Sequence, residues 1–95
     1  MFTLFVEYQI DSKYWSQYIE MIPEIKNVVH QNYQISAYEI LVSLQQEGKV
    51  VESIKMLDKG ECEALRVARL NDPLLKNSKF NVKKINAWVF ENIRT

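Results

Sequence analysis

The chain has 95 residues, 47% hydrophobic and 25% charged, the balance of an ordinary globular domain rather than a disordered one. Its 12 basic and 12 acidic side chains cancel, and no long run of one sign occurs, which removes the electrostatic basis for binding nucleic acid or an anionic membrane. A single cysteine excludes an internal disulfide, and no stretch approaches the roughly 18 uncharged apolar residues that a transmembrane helix needs.

The opening MFTLFVEYQI is apolar but carries Glu7 and lacks a basic leader, so no signal peptide is expected. These features describe one soluble, cytoplasmic domain over residues 1–95. A domain of this size buries only about 60–65% of its unfolded surface, so association with a second copy would help it.

Phe2–Ile10 alternates as a strand, with Phe2, Leu4, Val6, Tyr8 and Ile10 on one face and Thr3, Phe5, Glu7 and Gln9 on the other. Asp11 or Ser12 can cap a following amphipathic helix, about Lys13 to Gln31. Trp15, Tyr18, Ile19, Ile22, Ile25 and Val29 recur along it at three- and four-residue spacing and form its apolar stripe. Pro23 removes one helical hydrogen bond and crowds the preceding turn, which predicts a kink or two abutting helices near Met21–Pro23. His30, the only histidine, falls in the last turn, where an imidazolium suits the helix dipole. It has no neighbouring histidine or cysteine with which to ligate a metal.

Ile35–Asp58 reads as a hairpin. Gln46-Glu47-Gly48 fits a three-residue loop ending in a left-handed glycine. That loop sets Leu44 against Val50, Ile40 against Ile54, Tyr38 against Met56 and Glu39 against Lys55. Asp58-Lys59-Gly60-Glu61 then resembles a capping box opening a second helix through Leu70, with Ala64, Leu65 and Ala68 toward the sheet. Cys62 lies near its start beside Glu61 and Glu63 with no base set against it, the pattern of an inert small side chain. Asn71-Asp72-Pro73 ends the helix, and Leu74, Leu75 and Phe80 fold the connection over an edge of the core. Asn81–Ile93 alternates again, with Val82, Asn86, Trp88 and Phe90 on one face and Ile85, Ala87 and Val89 on the other.

Strand, helix, strand, strand, helix, strand is the split βαβ order of the α+β ferredoxin-like fold, βαββαβ. Its two crossovers place both helices on one face of a four-stranded antiparallel sheet. The other face would carry Phe5, Leu41 and either Ile85–Val89 or Trp88–Phe90, an apolar surface that a second copy of the chain can cover.

The first strand FTLFVEYQI, the hairpin YEILVSLQQEGKVVESIKM, the capped second helix and the closing strand INAWVFENI together resemble the dimeric α+β barrel proteins. The likeness is to the antibiotic-biosynthesis-monooxygenase-like group and its stress-response relatives, and covers nearly the whole chain. It implies a homodimer in which two sheets form a barrel, with a pocket between sheet and helices in each subunit. The haem-degrading branch of that group carries a histidine on the second helix, whereas His30 falls on the first helix here. No cofactor or metal is expected.

Two functions follow. One is a non-catalytic homodimeric module that binds a small ligand or acts as an accessory subunit. Its basis is the lack of a nucleophile–base pair or metal cluster, and with only two glycines no glycine-rich phosphate loop can be assembled. The alternative is a cofactor-independent monooxygenase-like enzyme acting on a small aromatic substrate. Trp15, Tyr18, Tyr38 and Trp88 would line its pocket, and Glu7 or Glu39 would serve as base.

Overall fold

A computed structural model describes residues 1–76 and 80–94. Its elements are β1 (Phe2–Gln9), a single 3₁₀ turn (Ser12–Tyr14), α1 (Trp15–Asn32), β2 (Ala37–Val42), β3 (Lys49–Met56), α2 (Lys59–Leu70), the short α3 (Pro73–Lys76) and β4 (Lys83–Glu91). The strands form one antiparallel sheet in the order β2-β3-β1-β4, and both helices lie on one face of it. This is the ferredoxin-like α+β arrangement expected from the element order.

The inward strand positions supply half of the buried apolar core. Leu4, Val6, Tyr8, Val50, Ile54, Met56 and Ala87 are buried, and Tyr18, Ile25, Val29, Cys62 and Leu65 descend on them from the helices. In β4, Ile85, Ala87 and Val89 pack toward this core, whereas Trp88 and Phe90 are 44% and 53% exposed on the opposite face. Phe5 also lies on that face and meets Phe90 edge to face, ring centroids 5.6 Å apart.

Several local expectations are corrected. The hairpin pairs Tyr38 with Ile54, Ile40 with Glu52 and Val42 with Val50, two residues away from the register read above. Each side chain keeps its face, because a shift of two preserves the alternation. Glu39 therefore stands opposite Ser53, and Ala37 takes the place opposite Lys55. The loop is longer than three residues because Ser43 opens it early. Its Oγ accepts from the Gln45 and Gln46 backbone N–H groups at 3.2 and 3.0 Å. Gly48 has the expected left-handed backbone, φ 75°. It also passes so close to Ile10 that an added Cβ would lie 2.1 Å from the Ile10 carbonyl oxygen.

α1 runs unbroken through Pro23 rather than dividing there. Asp11 caps the preceding 3₁₀ turn by accepting from the Lys13 N–H. Ile19, placed on the inner stripe by spacing, is exposed. Ala64 and Ala68 are exposed as well, because α2 turns Cys62, Leu65 and Arg69 inward instead. Asp58 caps α2 through the Glu61 N–H at 2.7 Å, but the Glu61 carboxylate accepts from the Gln34 N–H rather than closing the box. Val82 packs against the core, off the face it was assigned with Asn86. The reason is a β-bulge: two steps along β1, Glu7 to Gln9, span three along β4, Asn86 to Lys83, and Lys84 adopts φ 56°. Leu75 and Phe80 are buried as read, whereas the Leu74 side chain and residues 77–79 of that connection lie outside the described residues.

Candidate functional site

Alternation along β3 points Val50, Glu52, Ile54 and Met56 at the helices, so one carboxylate lands in the middle of the core. Glu52 is 0% exposed and Arg69 only 2%. A buried charge is tolerable only when paired and fully hydrogen-bonded, and Glu52 meets that condition. Arg69 donates from Nε to Oε1 at 2.9 Å and from Nη2 to Oε2 at 2.5 Å. Tyr38 donates its hydroxyl to Oε1 at 2.7 Å, and Tyr8 donates to Oε2 at 2.5 Å. With the Tyr8 proton so committed, the 2.8 Å contact between the Tyr8 and Tyr18 hydroxyls requires Tyr18 to donate. Arg69 completes the cluster with Nη1 on Asp72 at 2.8 Å.

The electrostatics follow from this geometry. Burial first, then the Glu52 charge, pushes the Tyr8 and Tyr38 phenols far above the ordinary tyrosine value. Burial also lifts Tyr18, against the opposing effect of its bond to Tyr8. Desolvation works against the Arg69 cation, but the charge and hydrogen bonds of Glu52 outweigh it and raise its pKa above the ordinary arginine value. All three phenols stay neutral donors at any physiological pH. Each oxygen of Glu52 has two donors, and no approach from solvent reaches it.

The residues singled out for a pocket divide between the two sides of the sheet. Tyr18 and Tyr38 belong to the buried cluster, and Trp15 rests half-buried on Tyr18 with ring centroids 5.6 Å apart. The Tyr38 ring is approached from α1 by His30, ring centroids 6.1 Å apart, and by Lys26, whose Nζ stands 5.6 Å from its centroid. Trp88 is on the far face, so one sheet–helix pocket cannot hold all four aromatics. Glu7 and Glu39 share that far face, and Glu7 is ion-paired with Lys49 at 2.5 Å. Cys62 is buried among apolar neighbours, and burial, then the Glu63 charge, pushes its thiol up. Glu52 and Arg69 were missed by the sequence reading, although a signal existed. Glu52 is the acid among the otherwise apolar inward positions of β3, and Arg69 continues the Cys62–Leu65 stripe.

Outside this cluster, an accessible hollow of about 420 Å³ opens where the start of α1 faces the hairpin tip. It is lined by Ser12, Trp15, Val42, Ser43, Glu47 and Gly48. Among the described residues no group of three or more His, Cys, Asp or Glu side chains is placed to hold a metal ion. No helix among them is long and apolar enough to cross a membrane.

No protein-family model matches the chain, and no curated protein matches it. Among solved structures, it is similar to a candidate antibiotic biosynthesis monooxygenase from Deinococcus radiodurans, with a TM-score of 0.77 at 14% sequence identity. The match covers 100% of this chain and 95% of that one. At that identity the likeness is one of fold: the chain has the ferredoxin-like α+β fold of that structure.

Proposed function

We propose that the protein is a non-catalytic homodimeric module that takes a small ligand at its surface, its two open sheet faces closing on one another. One observation carries the non-catalytic part. The carboxylate that burial singles out as a candidate base, Glu52, is sealed and already accepts four hydrogen bonds. A base must reach a substrate proton, within about 3 Å or through one water. The homodimer is supported by the apolar surface of Phe5, Leu41, Trp88 and Phe90 on the face that neither helix covers.

A second reading, a cofactor-independent monooxygenase-like enzyme, is favoured by the description of the Deinococcus neighbour. In that case the substrate would lie between the two sheets of a dimer, where Glu7, Glu39 and Trp88 share a face. Aerobic incubation with anthrone-type phenols in an oxygen electrode separates the two. Uptake at the buffer rate is the expected result. Uptake above it, abolished by Glu7→Gln or Glu39→Gln, would establish the enzyme instead.

A further inference from the structure

The hollow beneath Trp15 does not end at Ser12 and Glu47. The same two residues wall a second depression of about 290 Å³, whose far side is formed by Asp11, Asn81 and Lys83. The two adjoin at Ser12 and Glu47, and the larger alone, about 420 Å³, falls within the size range of small-molecule sites, about 300–1,000 Å³. Its floor is firm, because the Ile10 N–H donates to the Gly48 carbonyl at 2.8 Å and glycine alone allows that approach. Its apolar end is firm as well, since the indole of Trp15 is backed by the buried Tyr18 ring.

The charges give the occupant its sign. Asp11 is held below the usual carboxylate range by the Lys13 N–H, with help from the Asn81 amide, so it is ionised at neutral pH. Glu47, which lines both depressions, forms no ion pair among the described residues. Lys83 on the wall of the smaller depression and Lys13 both act on Asp11, which leaves Glu47 as the acid open to a cationic ligand. We infer that the larger hollow binds a small aromatic amine, its ring against Trp15 and Val42 and its ammonium on the Glu47 carboxylate. The indole face adds a cation–π attraction for the same charge. This inference rests on the reading of the protein as a ligand-binding module and gives that module a site and a ligand class.

The probe is 2-phenylethylamine titrated into the full-length chain, with phenylacetate as its anionic counterpart. Binding is followed by NMR at the indole N–H of Trp15, assigned by its loss in Trp15→Phe. Saturable shifts with the amine are expected, with weaker binding of the acid. Glu47→Gln, at an exposed position, should weaken the amine about fivefold, the size of one partly screened ion pair, and Lys83→Gln should not weaken it. The inference is overturned if the amine does not saturate, if the acid binds as well, or if Glu47→Gln changes affinity by less than about twofold. Such a failure in a protein that still consumes no oxygen removes this inference alone. Oxygen uptake would overturn the non-catalytic reading whatever the amine does.

Discussion

Glu52 sits on β3, yet its four donors come from β1, β2 and α2, and Tyr8 extends the connection to Tyr18 on α1. Removing its charge strands a guanidinium in the core. Breaking one side of a buried pair costs about 3–5 kcal/mol, a large share of the roughly 5–15 kcal/mol available to a whole domain. Glu52→Gln should therefore lower the urea midpoint by that equivalent. Glu52→Met with Arg69→Met should recover part of the loss, because an apolar pair leaves no orphaned charge. A Glu52→Gln protein as stable as the parent would show the pair to be dispensable. The same cluster predicts an alkaline limit. An unfolded tyrosine releases its proton near pH 10, whereas Tyr8, Tyr18 and Tyr38 hold theirs to higher pH in the folded chain. Their contribution is complete below pH 10 and declines above it, since the unfolded state is then favoured by deprotonation. Urea midpoints measured from pH 8 to 11 should fall only past about pH 10. Phenolate absorbance from these three of the five tyrosines should appear together with unfolding.

At the scale of elements, the hairpin shows where sequence reasoning succeeds and where it stops. Alternation in Tyr38–Val42 and Val50–Met56 assigns the faces, and a register slip of two leaves that pattern intact, so periodicity could not detect the slip. The hydroxyl of Ser43, a single side-chain atom, decided the loop. The bulge at Lys84 is likewise invisible to alternation, which is why Val82 was placed on the wrong side. Glu52 and Arg69 were hidden for a different reason. Their partnership spans 17 residues and two elements, and a charged residue in an apolar pattern is easily read as a strand's tolerated exception. Gly48 was legible, and more hangs on it than its turn. Gly48→Ala should cost about 1–2 kcal/mol for the left-handed backbone alone. The overlap with the Ile10 carbonyl adds to that, so the melting temperature should fall more than for an alanine at an exposed, helical site. An unchanged melting temperature would show that the loop can move away from β1.

For the whole molecule, the uncovered sheet face is the largest feature that one chain leaves unexplained. Phe5 stands against Phe90 there, with Trp88 and Leu41 on the same side. Light scattering at micromolar concentration should give twice the 11.3 kDa chain mass, falling to the single-chain value for Phe5→Asp with the circular dichroism spectrum retained. A parent protein that already scatters as one chain would remove the homodimer from the proposal.

The strand order has one more consequence, for the protein's synthesis. β1 leaves the ribosome before every other strand, yet it ends up between β3 and β4, and β4 is made last. Until residue 91 has cleared the exit tunnel, the nascent chain holds Leu4, Val6 and Tyr8 beside a bare hydrogen-bonding edge that only β4 can satisfy. Such long-range closure is slow and leaves sticky intermediates, so a translation pause before β4 exposes the chain to aggregation or chaperone capture.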